Sequence, residues 1–332
     1  MTSLMAQEIA QSPTAVTALL AQDTLLREIT SAIRRLNPPF VVICARGSSG
    51  QAAVHLRYLI ETRLGLVTSL AAPSIFTAYG ASLAMAGALF IVISQSGRSP
   101  DLVVSTEAAR AAGAMTLALV NEPNSPVAEA AAFVLPLCAG PERAIPATKS
   151  VIASMAAGAM LVNALVQDPG LDAALGRLPD RLAGALTLDW SSWGERLLAA
   201  PAAYVAGRGY GLGPAQEIAL KLAETVRVPT LGYSAAELRH GPRAAVTAHT
   251  PVLLLRQDDP TAAAIDALLP DLPGAFLCGG PHGNLPWIGD QHPALDPILM
   301  LCAAYRAIET ATRKAGYDPD RPPFLSKVTE TL

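Results

Sequence analysis

The stretch Phe90–Asp101, FIVISQSGRSPD, decides the fold class that we predict for this chain. Its first residues, Phe90–Ile93, form a short apolar and β-branched run, which is typical of a buried strand. The run ends in hydroxyls, an amide and a glycine, and Pro100 suits the first position of a helix with Ser99 as its N-cap. This order of strand, turn and helix predicts an anion site, because backbone N–H groups and the helix dipole favour negative charge there. The alternative is an ordinary loop rich in small polar residues.

The same order recurs through the first half of the chain. Phe40–Cys44 predicts another strand, and the ARGSSG turn at residues 45–50 precedes a helix predicted from about Gln51 to Arg63. Residues 1–36 predict a helical segment, and the rest of this half predicts strands at 66–71, 115–120 and 133–137 and helices at 74–86, 100–112 and 148–166. Such alternation is typical of a parallel sheet covered by helices.

The second half of the chain begins as the first does. Residues 204–209, YVAGRG, echo residues 42–47, VICARG, and such an echo predicts a duplicated α/β domain. Pro169, Gly170 and Pro179 put the predicted junction within residues 168–182. A last helix is predicted over about 297–315, and the prolines after it predict an extended tail that carries Lys327.

Length and composition limit the classes of protein to consider. The 332 residues suggest two domains, and 51% hydrophobic against 15% charged residues permit a large core. The net charge of −3, with no basic block, argues against a nucleic-acid partner. We expect no signal peptide and no membrane span, since the apolar run at 79–93 is short and broken by glycines. The cysteines lack metal-ligand spacing and predict free thiols in a reducing cytoplasm: Cys44, Cys138, Cys278 and Cys302.

Three charged residues lie on one face of the helix predicted after Gly209. Glu217, Lys221 and Glu224 stand at i, i+4 and i+7, within an otherwise largely apolar stretch. One interpretation is the solvated face of a packed helix, which is the commoner case. The other is a lined site, in which Lys221 holds Glu224 ionised as a base for proton transfer.

Two further residues are candidates for chemistry. His240 stands in the ELRHGP segment, and imidazole is the side chain that titrates near neutrality, although a lone histidine is usually structural or exposed. Lys327 is flanked by Phe324, Leu325 and Val328, so the tail is predicted to pack down. A lysine buried in this way could act as an amine nucleophile toward a carbonyl. The alternative is a solvated charge near the end of the chain.

Taken together, these segments resemble the sugar isomerase (SIS) domain family. The matching segments occur in the family's order and cover about residues 40–332: ARGSS (45–49), SQSGRSPD (94–101), AGPE with ATK (139–149), EIALKLAE (217–224), ELRHGP (237–242) and PPFLSKVTE (322–330). The last three resemble the isomerase half of glucosamine-6-phosphate synthase. The resemblance implies two SIS domains in an α/β fold, each a five-stranded parallel sheet flanked by helices in three layers, with domains at 37–168 and 183–315 between the helical segment 1–36 and the tail 316–332.

The resemblance also implies roles for particular residues. Those expected to bind the substrate phosphate are Ser49, Ser94, Gln95, Ser96 and Ser99, and the candidate sugar contacts are Ser48, Glu142 and Ala147. Glu224 would move a proton between C1 and C2 of the sugar and Lys221 would support it. His240 would assist ring opening in a site completed by a second subunit, and Lys327 would approach the carbonyl. Ser99 and Ala147 replace a Thr and a Ser of the family pattern, and Arg98 replaces an acidic residue.

The implied activity is chemistry on an amino-sugar phosphate. Only about 40 residues precede the first predicted SIS strand, so we expect no glutamine-hydrolysing domain, and the chain then resembles the stand-alone deaminases that convert glucosamine 6-phosphate to fructose 6-phosphate and ammonia. The implied partners are a sugar phosphate and a second copy of the chain in a homodimer, with no metal or cofactor. One alternative is isomerisation of a phosphosugar without loss of nitrogen, and another is deglycation of a phosphorylated sugar–amine adduct. A third is a non-catalytic sugar-phosphate sensor, which would not require Glu224, His240 and Lys327 together.

Overall fold

A computed structural model describes residues 2–289 and 292–327 and contains two parallel sheets. The chain divides into two compact units, each assembled from separate stretches. The first-sheet unit comprises residues 14–142 and 149–176 with the tail residues 326–327, and the second-sheet unit comprises residues 2–13, 143–148 and most of 177–325. The strands of both sheets are parallel, and helices alternate with them along the chain, as the α/β prediction requires.

The first sheet has five strands in the order β2-β1-β3-β4-β5. These strands are β1 (Val41–Ala45), β2 (Thr68–Leu70), β3 (Leu89–Ser94), β4 (Met115–Val120) and β5 (Phe133–Pro136). Every residue of β3 is buried, which explains its continuous apolar sequence, because both faces of a central parallel strand are covered. The register places Ala45 opposite Ile93, so β1 and β3 end side by side.

The second sheet has four strands in the order β7-β6-β8-β9 within the described residues. They are β6 (Ala203–Gly207), β7 (Thr230–Ser234), β8 (Val252–Leu255) and β9 (Phe276–Cys278). The order matches that of the first four strands of the first sheet, so β6 corresponds to β1 and β8 to β3. The echo between VICARG and YVAGRG therefore reflects two strands with the same place in their sheets.

The helices lie before, between and after the strands. In chain order they are α1 (Leu4–Ala10), α2 (Ser12–Leu20), α3 (Asp23–Leu36), α4 (Gly47–Arg63), α5 (Ser74–Thr77), α6 (Pro100–Ala111), α7 (Pro126–Ala130), α8 (Lys149–Val166), α9 (Pro169–Ala185), α10 (Ser191–Leu197), α11 (Leu212–Lys221), α12 (Ala235–Arg239), α13 (Ala262–Asp266) and α14 (Asp296–Lys314). A single π-helical turn, Leu222–Val226, continues α11.

The prediction of five strands in each sheet is wrong for the second sheet as described. In the part of the chain after β9 that the structure describes, the only further pairing is a one-residue parallel bridge between Cys278 and Leu285. Pro281 and Pro286 flank this bridge, and proline cannot donate the ladder hydrogen bond that a fifth strand would need. The domain boundaries that we predicted stay a prediction.

Two local predictions were also wrong. The helix expected over 74–86 ends at Thr77, because Gly80 has a left-handed φ of 57° and the chain beyond Ala78 is irregular. In the tail, Phe324 is fully exposed and Leu325 is exposed, so these side chains do not pack down as expected, and Val328 lies outside the described residues.

Within residues 2–289 and 292–327, one helix, α8, is long and apolar enough to cross a membrane. Of its 18 residues, 83% are buried inside the structure, as expected for a core helix. Helix α8 packs against α4, where a Cβ added at Gly158 would lie 3.1 Å from Cδ1 of Leu56. Its apolar composition is therefore explained by close packing of the first-sheet unit.

Candidate active site

The serine loops of the first sheet leave neighbouring strands at its carboxyl edge. Ser48 and Ser49 follow β1 and are partly buried in the first turn of α4, which begins at Gly47, four residues before the predicted start. Residues 94–99 follow β3. Strand order reverses between β1 and β3, and ligands of open α/β sheets bind in the crevice at such a switch point. We call residues 48–49 and 94–99 the phosphate cradle.

The second cradle loop is shaped by its own hydroxyls and by a glycine. The Ser94 hydroxyl, which is buried, accepts a hydrogen bond from the Gly97 N–H at 3.0 Å, and the Ser96 hydroxyl accepts one from the Arg98 N–H at 3.3 Å. Ser99 is the N-cap residue of α6, but its side chain makes no capping bond. The partly buried Gln95 completes the loop. Hydroxyls and a helix N-terminus therefore lie together at this turn, and phosphate binding there stays a prediction.

An ion pair that the sequence analysis missed joins the two cradle loops. Arg46, the residue before α4, places Nε 2.6 Å from Oδ2 of Asp101 in the first turn of α6. The Asp101 side chain is 1% exposed and that of Arg46 is 47% exposed. The guanidinium is thus anchored at one end and open to solvent at the other. Arg46 lies in the ARGSS segment and Asp101 in the SQSGRSPD segment, and this was the signal from which the ion pair could have been predicted.

Asn121 connects the cradle to the loop that follows β5. Its N–H donates to the Ser94 carbonyl at 3.3 Å, while its side chain donates to the Gly140 carbonyl and accepts from the Ala139 N–H, both at 2.8 Å. The carboxyl ends of β3, β4 and β5 are therefore tied together by the backbone and side chain of one buried asparagine. No sequence pattern singled out Asn121, because an asparagine after a strand is also an ordinary turn residue.

Glu142 lies in the loop that Asn121 braces. Its carboxylate accepts hydrogen bonds from the Ser150 N–H at 3.1 Å and the Ser150 hydroxyl at 2.5 Å, and Nζ of Lys327 lies 3.6 Å away. The neighbouring Lys149 is buried and donates to the Pro141 carbonyl at 2.7 Å. The sugar contact expected of Glu142 stays a prediction. Ala147 is partly buried and carries no polar side-chain atom, so any sugar contact there is apolar or through the backbone.

The charged stripe of the second-sheet unit is a buried chain of four side chains. The Tyr305 hydroxyl on α14 donates to Glu217 at 2.9 Å, Lys221 lies 3.5 Å from Glu217, and Lys221 also donates to Glu224. Glu217 and Lys221 are 0% and 1% exposed, whereas Glu224 is 19% exposed. Only the last carboxylate therefore reaches solvent. The interpretation of the stripe as a solvated helix face is wrong for Glu217 and Lys221.

The backbone and the charges both favour this arrangement. Glu224 sits in the π-helical turn, and such turns inside α-helices occur frequently at functional sites. Burial by itself would lower the pKa of Lys221, but Glu217 and then Glu224 outweigh it, and the pKa is raised above its ordinary value. Lys221 is therefore protonated at neutral pH and stabilises the negative charge on both carboxylates. Tyr305 was missed because it lies 88 positions from Glu217 in the chain.

His240 is exposed at the end of α12, where its N–H donates to the Glu237 carbonyl at 3.0 Å. The structure thus leaves the imidazole on the surface of the single chain. No three His, Cys, Asp or Glu side chains are grouped as a metal site within residues 2–289 and 292–327.

Comparison with known proteins gives consistent results for sequence and structure. The model of the SIS domain family matches residues 38–164 and 197–271. The isomerizing glutamine–fructose-6-phosphate aminotransferase of Methanothermobacter thermautotrophicus is 34% identical over 344 residues, which cover 97% of this chain and 56% of that enzyme. The corresponding enzyme of Symbiobacterium thermophilum is 29% identical, with 52% of its length covered. The chain spans about half the length of the curated relatives it matches.

Solved structures agree along the whole chain. A candidate phosphosugar isomerase from Silicibacter pomeroyi is 34% identical, with a TM-score of 0.91 over 96% of this chain and 100% of that one. Glucosamine-6-phosphate deaminase from Thermotoga maritima has a TM-score of 0.81 at 21% identity over 99% and 100% of the two chains, which shows the shared fold. The motifs, the family match and these structures lead to one conclusion: the chain belongs to the SIS domain family.

Proposed function

We propose that this protein is an amino-sugar-phosphate deaminase that converts glucosamine 6-phosphate and water to fructose 6-phosphate and ammonia. The observation that carries the proposal is the pairing of Glu224 with the buried, protonated Lys221, because a sensor that only binds sugar phosphates has no use for a partly exposed carboxylate held in this way. The proteins named above include an isomerizing glutamine–fructose-6-phosphate aminotransferase, a candidate phosphosugar isomerase and a glucosamine-6-phosphate deaminase.

The proposed steps use the described residues in turn. The phosphate cradle binds the substrate phosphate, and Arg46 adds positive charge beside it. His240 assists ring opening to the aldehyde. Glu224 then takes the proton from C2 and returns it to C1, which converts the 2-amino aldose to a 2-imino ketose. Water attacks C2 of the imine, the C–N bond breaks, and ammonia leaves with fructose 6-phosphate as the other product.

The family resemblance assigns His240 to a site completed by a second subunit, and we propose a homodimer on this basis. The exposure of His240 in the single chain supports this assignment, because a general acid needs to reach a bound sugar. Mixing a His240→Ala variant with a Glu224→Gln variant tests it. A shared site regenerates part of the activity after subunit exchange, whereas sites contained within one chain stay inactive.

The deciding experiment measures ammonia and ketose released from glucosamine 6-phosphate, galactosamine 6-phosphate and their N-acetyl forms. We expect equimolar ammonia and fructose 6-phosphate from the first. The Glu224→Gln variant should lose turnover by at least about a hundredfold while it still binds fructose 6-phosphate. Ketose–aldose exchange without ammonia would replace the proposal with isomerisation, and release of an intact amine from a sugar–amine adduct would replace it with deglycation. Binding without any turnover would identify a sensor.

A further inference from the structure

We infer that Glu142 is a positioning residue that holds the tail lysine Lys327 at the carboxyl edge of the first sheet. The inference rests on the proposed function, in which the family resemblance implies that Lys327 approaches the sugar carbonyl. The Glu142 side chain is 0% exposed and the Lys327 side chain is 26% exposed, and their charged atoms lie 3.6 Å apart. A fixed, desolvated carboxylate thus faces an ammonium group on the irregular tail.

A simpler role must be considered beside this one. The Glu142 carboxylate accepts from the N–H and the hydroxyl of Ser150, so it also caps the N-terminal turn of α8. A pure cap would explain the burial of the carboxylate. It would not need Lys327, since a neutral amide oxygen caps a helix about as well as a carboxylate does. The pairing with Lys327 therefore depends on the negative charge of Glu142, whereas the cap depends only on an acceptor atom.

The position of Glu142 is fixed by groups that belong to the cradle edge. Asn121 holds the backbone of Ala139 and Gly140, and the same residue donates its N–H to the carbonyl of Ser94. The loop that carries Glu142 is therefore braced against the end of β3, where Ser94 of the phosphate cradle lies. The tail itself contributes no helix or strand between residues 315 and 327 to fix Lys327. The buried carboxylate supplies a fixed point that the tail lacks.

The ion pair also explains how Lys327 can be held in place although the apolar residues next to it in the tail are not packed. Phe324 and Leu325 are exposed, so apolar burial does not hold this end of the chain. An ion pair with one fully desolvated member is screened less by salt than a surface pair. Its loss should release the ammonium group from its place while leaving the first sheet intact.

The test compares Glu142→Gln with Glu107→Gln, a matched control that removes one exposed carboxylate from α6. The glutamine removes the charge and keeps one acceptor oxygen for the Ser150 N–H, while its NH2 group can donate to the Ser150 hydroxyl. We expect Glu142→Gln to lower kcat by about tenfold or more while KM for glucosamine 6-phosphate changes less than threefold, because orientation rather than phosphate binding is lost. In a Lys327→Met background, Glu142→Gln should cause no further loss. Equal, additive losses in both backgrounds would overturn the inference and leave Glu142 as a cap.

A second readout does not depend on turnover. Trypsin cannot cleave after Arg321, which precedes Pro322, so cleavage after Lys327 is read as loss of the last five residues by intact mass. Glu142→Gln should speed this cleavage severalfold relative to the wild type, and Glu107→Gln should not. If no hexosamine 6-phosphate is turned over but this acceleration is seen, the proposed function fails and the docking of Lys327 stands. Unchanged cleavage would overturn the docking itself.

Discussion

The hydroxyl of Tyr305 donates a hydrogen bond to the carboxylate of Glu217 at 2.9 Å, and both side chains are fully buried. Tyr305 lies on α14 and Glu217 on α11, so the bond joins two helices of the second-sheet unit. Glu217 in turn faces the ammonium group of Lys221 at 3.5 Å. The proposed base, Glu224, is thus the exposed end of a chain that is anchored in the core.

Replacement of Tyr305 by Phe tests this anchor. The change removes one donor from a buried carboxylate, so we expect the free energy of unfolding to fall by about 1.5–3 kcal/mol. Chemical denaturation monitored by circular dichroism measures it. Tyr58→Phe on α4, whose ring is only partly buried, serves as the control and should change stability by less than about 0.5 kcal/mol. Equal losses in the two variants would show that Glu217 does not depend on Tyr305.

Lys221 should matter more than Tyr305, because two carboxylates depend on it. Lys221→Met leaves the buried Glu217 without its cation, and removal of one partner of a buried pair costs about 3–5 kcal/mol. The double variant Lys221→Met with Glu217→Gln should recover much of that stability while activity stays low, since Glu224 still lacks its lysine. Full recovery of activity in the double variant would contradict a role for Lys221 beside Glu224.

The sequence was informative wherever chemistry and local structure depend on neighbouring residues. The hydroxyl-rich turn after Phe90–Ile93, the helix beginning at Pro100 and the spacing of Glu217, Lys221 and Glu224 are all local patterns, and the structure confirms these elements. Periodicity could not decide whether the stripe was solvated, because that depends on α14 packing over it.

Other features could not be predicted from local sequence patterns, because they depend on contacts between residues that are distant in the sequence. The ion pair between Arg46 and Asp101 and the hydrogen bonds of Asn121 arise because parallel strands bring distant turns to one edge of the sheet. The exposure of Phe324 contradicts the usual tendency of apolar residues to be buried. The fifth strand expected in the second sheet is, in the described residues, only the one-residue bridge at Leu285, next to Pro286.

Arg46 should contribute to binding of the phosphate rather than to the chemical step. Its guanidinium is anchored by Asp101 and half exposed, so Arg46→Met should raise KM for the sugar phosphate about tenfold with little change in kcat, and the effect should shrink at high salt. Arg57→Met on α4 removes a charge with the same exposure, 47%, and should leave KM unchanged. A similar rise in KM for both variants would reduce the role of Arg46 to general electrostatic attraction.

The buried thiols should make stability fall at alkaline pH. Burial raises the pKa of Cys44 and of Cys302 to about 12 from 9.0. These groups keep their protons in the folded state and lose them first in the unfolded state, so their contribution is complete below pH 9 and is lost as pH rises toward 12. In this pH range each thiol should lower the free energy of unfolding by up to about 1.4 kcal/mol per pH unit. Denaturation at pH 8, 9 and 10 measures the slope.

The matched control for the alkaline slope is the variant Cys44→Ala with Cys302→Ala, which should show a smaller slope than the wild type. Cys138 is partly exposed, and at pH 8 we expect a thiol reagent to reach it before the other three cysteines in the folded protein. Rapid modification of Cys44 under these conditions would contradict the burial on which the pH prediction depends.

Gly97 should be the least replaceable residue of the phosphate cradle. It has a φ of 61°, and a Cβ added there would lie 1.9 Å from the Ser125 hydroxyl oxygen. Gly97→Ala should therefore be destabilised by both backbone strain and a steric clash. Gly47 has a φ of 50° with nothing within 4 Å of its added Cβ, so Gly47→Ala pays the strain alone, about 1–2 kcal/mol.

The difference in stability between the two alanine variants measures the clash, and we expect Gly97→Ala to be the more destabilising by at least about 1 kcal/mol. The double variant Gly97→Ala with Ser125→Gly removes the clash and should return to the stability of Gly47→Ala. KM for the sugar phosphate should be raised less than in Gly97→Ala alone, because the loop that carries Ser94 and Ser96 is no longer displaced. If Gly97→Ala matches Gly47→Ala in both stability and KM, the loop can move away from Ser125, and close packing against that residue does not set the geometry of the cradle.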